Sequence, residues 1–271
     1  MRVLDLFSGI GGMSLGLERA GMQTVAFCEI DPFCRKVLAK HWPDVPIHED
    51  IRGLTADAVG PVDVIAGGFP CQDVSNAGKR AGLAGANSGL YRELVRLVCM
   101  VRPKHAIVEN VAALLGDGMD AVLGDLAEGG FDAEWDCVPA SAVGAPHERD
   151  RVWIVAHPES DGCRSGRARR SPDSFARLRN TPRWNAADFD GERKSQQEGA
   201  VDEERRRSQH IVEAPPAFRR WEWPDEPALL GMDDGVPDRP HRVRALGNAV
   251  APQVVEQIGG AIMAAHHSPS P

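Results

Sequence analysis

The chain of 271 residues has a formal net charge of −8, with 42 % hydrophobic and 26 % charged residues. These values are ordinary for a globular protein, and no apolar run approaches the roughly 20 residues of a membrane-spanning helix. The amino terminus shows neither the apolar segment nor the cleavage site of a secretory signal, so we expect a cytoplasmic protein. Its six cysteines form no C-x-x-C pair, and we expect no metal and no disulfides.

The first part of the chain alternates short apolar runs with helical patterns. Several of the apolar runs lack polar alternation, which is typical of strands covered on both faces of a sheet. The pattern predicts strands over Val3–Phe7, Thr24–Ile30, Val62–Ala66, His105–Glu109, Asp132–Val138 and Arg151–Ala156. It predicts helices over Met13–Ala20, Pro32–His41, Leu90–Val101 and Ala112–Glu128. Such an order indicates an α/β fold with a doubly wound, mainly parallel sheet.

The composition changes after His157. Between Pro158 and about Pro216 long apolar side chains become rare, and we expect Gly191–His210 to be a solvated or disordered insertion. Seven arginines but only one acidic residue lie between Arg164 and Arg183, so the negative total charge does not exclude a nucleic-acid partner. We predict three parts: a main domain over 1–157, an irregular and partly disordered region over 158–240, and a segment over 241–271 that returns to the main domain.

A glycine-rich turn follows the first predicted strand, over Asp5–Gly12. Glycines allow a tight turn and a close approach of the backbone to a ligand. Glu29 ends the next strand, where a carboxylate can accept hydrogen bonds from ribose hydroxyls. Together they favour an adenosine-containing ligand, but they do not separate a dinucleotide from S-adenosylmethionine.

A second loop, Gly67–Ser75, follows the predicted strand Val62–Ala66 and contains Cys71. An isolated cysteine is most often a small buried side chain. Here Pro70 and Gln72 flank it at the carboxyl end of a strand, where open α/β sheets bind ligands. This context favours an accessible and reactive thiol.

Two further polar motifs lie at the ends of predicted strands. Glu109 stands in Val108–Val111, where its carboxylate could hold a proton, although Asn110 could equally cap a following helix. Arg149 and Arg151 precede the last predicted strand and could bind an anionic group, or could form surface ion pairs with the acidic residues between them.

Taken in order, these motifs closely resemble the DNA (cytosine-5)-methyltransferase family, in the short form of bacteria and phages. That family runs from D-L-F-x-G-x-G-G through P-C-Q, E-N-V and an arginine pair to a closing G-N-A/S-V, here Gly247–Val250. The resemblance covers Met1 to about Ala156 and about Arg242 to Ala261. His147 stands where the family often has Gln, and 158–240 would be an unusually short target-recognition region.

The resemblance implies a Rossmann-like class I methyltransferase fold and a methyl transfer to C5 of a flipped cytosine in double-stranded DNA. Cys71 would bond covalently to C6, Glu109 would contact N3 and the exocyclic amine, and Arg151, with Arg149 behind it, would act near O2. The cofactor would be S-adenosyl-L-methionine, with no metal. Its pocket would be lined by Phe7, Gly9, Gly11, Glu29, Ile30, Asp50, Pro70, Leu90 and Asn248.

The resemblance also implies a monomer acting in a restriction-modification or phage-protection setting. A tRNA cytosine-5 methyltransferase, with the same P-C-Q chemistry, remains an alternative. So does a non-catalytic cofactor- or DNA-binding module, although such a module has no use for a thiol in this loop. A nicotinamide dehydrogenase fits less well, because Gly9–Ser14 lacks the third glycine of G-x-G-x-x-G.

Overall fold

The computed structural model describes residues 1–70, 88–116, 118–145, 147–159, 169–170 and 239–267. Its strands are β1 Arg2–Leu6, β2 Gln23–Cys28, β3 Ile47–His48, β4 Val64–Gly68, β5 His105–Val111, β6 Phe131–Val138, β7 Arg151–Pro158 and β8 Arg169–Arg170. Its α-helices are α1 Gly12–Arg19, α2 Pro32–His41, α3 Ala56–Val59, α4 Ser88–Val101, α5 Met119–Glu128, α6 Arg239–Asn248 and α7 Pro252–His267. Short 3₁₀ helices cover Ile51–Gly53, Ala112–Leu115 and Ala140–Val143.

The strands form one sheet in the order β3-β2-β1-β4-β5-β7-β6-β8. Strands β3, β2, β1, β4 and β5 are parallel, whereas β7 runs antiparallel to both of its neighbours, β5 and β6. From β1 the chain proceeds to one edge through β2 and β3, and it then returns to β4 and continues towards the other edge. The predicted doubly wound, mainly parallel sheet is therefore confirmed.

Both faces of the sheet are covered because neighbouring apolar residues point to opposite sides. On one face Leu4 and Ile65 pack with the apolar sides of α4 and α5. On the other face Val3 and Val64 pack with α1 and α7. The strands consequently read as nearly continuous apolar runs, as expected for a parallel sheet between two helical layers.

Local signals explain where two of the helices begin. Helix α2 starts as predicted, because Oδ1 of Asp31 accepts the backbone N–H groups of Phe33 and Cys34 and Pro32 occupies the first turn. The single helix predicted over Ala112–Glu128 is wrong. A 3₁₀ helix ends at Leu115, and α5 begins only after Gly118, whose φ of 112° is left-handed and interrupts a helix.

Helix α7 packs closely on α1. A Cβ built on Gly16 would lie 2.5 Å from both the carbonyl oxygen of Pro252 and Cβ of Val255, so the contact requires glycine.

None of the described helices is long and apolar enough to cross a membrane. Most of the predicted region 158–240, including Gly191–His210, lies outside the described residues, so the division into three parts stays a prediction.

We predict that Gly16→Ala lowers the free energy of unfolding by about 1–3 kcal/mol, because the added methyl group must push α7 away from α1. Gly260→Ala is the matched control, since a Cβ on this exposed glycine of α7 meets nothing within 4 Å. The control should gain up to about 1 kcal/mol from helix propensity. Urea denaturation measures both, and equal stability of the two variants would contradict the close packing.

Candidate active site

The crevice of the fold lies where β1 and β4 pair side by side. Leu6 is the register partner of Gly67, and a Cβ on Gly67 would lie 2.4 Å from the carbonyl oxygen of Leu6. The chain leaves these two strands towards opposite edges of the sheet, which makes their carboxyl ends the expected ligand crevice of a doubly wound fold. The glycine-rich turn after β1 and the loop after β4 both start here.

The turn after β1 is held by left-handed backbone and internal hydrogen bonds. Phe7 and Gly9 both have φ of 53°, and Gly11 has φ of 88°. Oγ of Ser8 donates to the carbonyl of Asp5 at 2.7 Å, and the amide of Gly11 donates to the carbonyl of Ser8 at 2.9 Å. A Cβ on Gly9 would meet nothing within 4 Å, so this side of the turn is open to a ligand.

Glu29 follows β2 and reaches the same turn. Its Oε2 accepts the amide of Gly9 at 2.7 Å, and its Oε1 accepts the amide of Asp31 at 2.8 Å. A carboxylate offers about four lone-pair sites, so each oxygen retains capacity for a further donor. The next side chain, Ile30, is 66 % exposed. A hydrogen-bond acceptor and an exposed apolar surface therefore lie next to each other at the edge of the turn.

Asp5 is a fully buried carboxyl beneath the turn. Ser14 donates to its Oδ2 through Oγ at 2.7 Å and through its amide at 3.2 Å, whereas Oδ1 is buried without a hydrogen-bond partner. Burial raises the pKa of Asp5 to about 7 against the lowering effect of the Ser14 hydrogen bonds, with Glu29 adding repulsion.

Glu109 and Arg151 form an ion pair at the carboxyl end of β5. Nε of Arg151 lies 2.8 Å from Oε1 of Glu109, and the side chains are only 20 % and 12 % exposed. Glu109 is the antiparallel register partner of Trp153, so Arg151 is its diagonal neighbour on the same face. Burial raises the pKa of Glu109, while Arg151 and Arg149 oppose that shift.

Gly68 leaves the space that the Glu109 carboxylate occupies. The two residues are register partners, and a Cβ on Gly68 would lie 2.4 Å from Oε2 of Glu109. Sequence reasoning assigned no role to Gly68, although the paired glycines before P-C-Q were a signal.

Asn110 does not cap a helix: its Nδ2 donates to the carbonyl of Phe69 at 3.3 Å and steadies the start of the loop after β4.

Arg149 contacts the far end of the chain. Its Nη2 donates to the carbonyl oxygens of Gly247 at 2.8 Å and Ala249 at 2.5 Å, on either side of Asn248. Helix α6, which ends at Asn248, is also tied to the start of α2, because Arg244 forms an ion pair with Asp31 at 2.7 Å. Arg149 thus contacts backbone carbonyls and Arg151 pairs with Glu109, so the two arginines do not form the alternative surface ladder with the acidic residues next to them.

The remaining predicted site residues lie at several places around the crevice. Asp50 begins the 3₁₀ helix Ile51–Gly53, and its exposed carboxylate pairs with Arg52 at 3.3 Å. Leu90 is half-buried on α4, and Asn248 is exposed. Pro70 is the last described residue of its segment, and the predicted nucleophile, Cys71, lies outside the described residues.

Comparison with protein families matches residues 1–215 to the C-5 cytosine-specific DNA methylases. The chain belongs to this family. The predicted resemblance is thereby confirmed.

Two curated methylases are similar to this chain over more than half of its length. Type II methyltransferase M2.BsuMI of Bacillus subtilis is 39 % identical over 164 residues, which are 58 % of this chain and 42 % of that protein. Type II methyltransferase M.AquIA of Picosynechococcus is 33 % identical over 177 residues, 58 % of this chain and 71 % of that protein. The aligned part spans about two fifths of several relatives, including M.CviJI of a Chlorella virus at 42 %.

Solved structures share the fold of this methylase. A protein described as a DNA modification methyltransferase encoded within an E. coli prophage is 30 % identical with a TM-score of 0.51, over 58 % of this chain and 47 % of that chain. DNMT2 of Spodoptera frugiperda has the same TM-score at 23 % identity, over 60 % and 51 % of the two chains. At that identity the second likeness concerns the fold alone.

We predict that Asp5 makes the methylase less stable as the pH rises. Its folded-state pKa of about 7 exceeds the ordinary 3.8, so the protonated form stabilises the fold below about pH 4 and this contribution is lost up to pH 7. Relative to Asp5→Asn, the wild-type free energy of unfolding should fall by on the order of 2 kcal/mol between pH 5 and 8.

Urea denaturation at four pH values measures this difference. Asp63→Asn is the control, because the hydrogen bond from Lys104 lowers the pKa of Asp63 and places its titration below this range. Parallel pH profiles of wild type and Asp5→Asn would contradict the prediction.

Proposed function

We propose that this chain transfers a methyl group from S-adenosylmethionine to C5 of a flipped cytosine in double-stranded DNA. The observation that carries the proposal is the buried Glu109–Arg151 pair. The Glu109 carboxylate lies against Gly68, the last residue of β4, and the chain continues from there into Pro70 and Cys71. The chain also belongs to the C-5 cytosine-specific family.

C5 of cytosine is too weak a nucleophile to take the methyl group directly. The reaction therefore requires an enzyme nucleophile that first adds to the neighbouring C6. Addition of the Cys71 thiolate forms a bond from Sγ to C6 and makes C5 electron-rich. C5 then accepts the methyl group, after which a base removes the C5 proton and the bond from Sγ to C6 breaks. The thiolate is the reactive form, so its site must favour negative charge.

Glu109 and Arg151 would hold the base during this addition. Burial raises the pKa of Glu109, which makes it easier for this carboxylate to take up a proton and share it with N3 as negative charge develops there. Arg151 would donate an N–H of its guanidinium to O2 of the base. Because the two side chains are paired, each also fixes the orientation of the other.

The residues around the glycine-rich turn fit S-adenosylmethionine, which supplies an electrophilic methyl group when bound. Glu29 would accept the ribose hydroxyls, because each of its oxygens holds a single backbone N–H in the structure. Ile30 would pack against the adenine with its exposed apolar surface. The open side of Gly9 leaves room for the ligand at the turn. Other residues would complete the pocket: Phe7, Gly11, Asp50, Pro70, Leu90 and Asn248.

A cytosine stacked in a duplex is out of reach, so the target base would be flipped into this crevice. One active site suffices for that event, and we therefore propose a monomer acting on DNA in the cytoplasm. A restriction-modification or phage-protection role is supported by the Type II names of several relatives and by the prophage origin of one similar structure.

The test uses tritium-labelled S-adenosylmethionine, a mixture of plasmid DNA and tRNA, and the full chain. We expect label as 5-methylcytosine in DNA, and a loss of about 1,000-fold or more in Cys71→Ala because no covalent addition remains. Cys99→Ala, which removes a half-buried thiol on α4, is the control and should retain activity. Label in tRNA alone would move the assignment to RNA, and no label with cofactor still bound would indicate a binding module.

We predict that Gly68→Ala lowers the methylation rate at least about 10-fold, since a misplaced catalytic group is costly and the new methyl group would displace the Glu109 carboxylate. Gly89→Ala on α4 meets nothing within 4 Å and serves as the control. Single-turnover methylation with both variants measures the effect. Equal rates for wild type and Gly68→Ala would show that the position of Glu109 is not critical.

A further inference from the structure

Arg149 is held in an unusual backbone conformation by contacts to a distant segment. Its φ of 41° lies in the left-handed region, which costs a non-glycine residue roughly 1 kcal/mol or more. Its Nη2 donates to two backbone carbonyls, those of Gly247 and Ala249. An Nη2 atom has two N–H groups, one for each carbonyl. The planar guanidinium therefore fixes the spacing and direction of two carbonyls that flank Asn248.

The segment that Arg149 holds lies against the glycine-rich turn. A Cβ on Gly12, the first residue of α1, would lie 3.1 Å from the carbonyl oxygen of Val250. The preceding helix, α6, reaches the other side of the cofactor crevice, because Arg244 pairs with Asp31 and the His241 ring stacks on Phe33 with centroids 5.8 Å apart. We name residues 247–250, which are the last two residues of α6 and the two that follow, the C-terminal turn.

The same short segment of chain also reaches the cytosine side of the crevice. Arg151, two residues after Arg149, forms the ion pair with Glu109. The backbone between them is short, so a shift of Arg149 would be transmitted to Arg151. Arg149 and Arg151 thus connect Glu109 with the C-terminal turn, which lies about 140 positions later in the sequence.

We propose that Arg149 is a positioning residue that couples the cofactor pocket to the base pocket. By binding the carbonyls on both sides of Asn248, it aligns the C-terminal turn with the Glu109–Arg151 pair, so that an occupied cofactor pocket stabilises the base pocket. This assigns Arg149 a role different from contact with the base, and it rests on the proposed function for the identity of the cofactor.

The variants are Arg149→Gln, which removes the charge and is too short to bring its amide N–H groups to both carbonyls, and Arg149→Lys, which keeps the charge without the planar fork. Arg19→Gln, an exposed arginine at the end of α1, is the matched control. Two measurements need no DNA: the affinity for S-adenosylhomocysteine by calorimetry, and hydrogen–deuterium exchange of peptides covering 245–252 and 149–153. Thermal melting identifies any variant that fails to fold, in which case Arg149→Lys carries the test.

In Arg149→Gln we expect exchange in the C-terminal turn to be at least about 10-fold faster and S-adenosylhomocysteine to bind about 10-fold more weakly, with Arg149→Lys between it and wild type. The decisive measurement is the effect of a ligand in the cofactor pocket on hydrogen exchange in the base pocket. In the wild type the ligand should slow exchange over 149–153, whereas in Arg149→Gln this protection should be lost.

Protection that persists in Arg149→Gln would overturn the coupling. Unchanged affinity and exchange together with lost methylation would also overturn it and would place Arg149 on the base. If the wild type itself does not bind S-adenosylhomocysteine, the proposed cofactor fails and the coupling fails with it. A failure of the coupling alone leaves wild-type binding and methylation intact, so the two failures are distinguishable.

Discussion

The parallel pairing of β1 with β4 is the constraint on which the rest of the site depends. At the end of this pair the backbones of Leu6 and Gly67 approach so closely that a Cβ on Gly67 would clash with the Leu6 carbonyl. The two strands carry the glycine-rich turn and the loop of the predicted nucleophile. Since the chain departs from them towards opposite edges of the sheet, their carboxyl ends form a crevice in which a cofactor and a base could meet.

Two buried carboxyl groups near this crevice, those of Glu109 and Asp5, are held in different ways. Glu109 and Arg151 neutralise each other, and removal of one partner would leave a poorly solvated charge. Asp5 instead has hydrogen bonds on one oxygen only, and burial raises its pKa to about 7. The carboxyl group beneath the glycine-rich turn is therefore partly protonated near neutral pH, whereas the base pocket contains an ion pair.

The prediction from sequence was most reliable where one local signal dominates. The apolar runs identified β1, β2, β4, β5, β6 and β7 to within two residues at either end, and Asp31 with Pro32 marked the start of α2. It was wrong at Ala112–Glu128, because an apolar, helix-like pattern does not reveal a left-handed glycine such as Gly118. The order of the strands was not predicted, since periodicity carries no information on which strands pair, and it comes from the structure.

The sequence by itself determined the alternation of strands and helices, the family, and the residue types that carry the chemistry, because these depend on local propensity and on motifs in order. Only the tertiary structure decided that Gly68 makes room for Glu109, that Arg151 pairs with Glu109, and that Arg149 reaches the C-terminal turn. These contacts depend on strand register and on side-chain direction across residues far apart in the chain. A linear pattern contains neither, because both arise only when the strands pair and the helices pack.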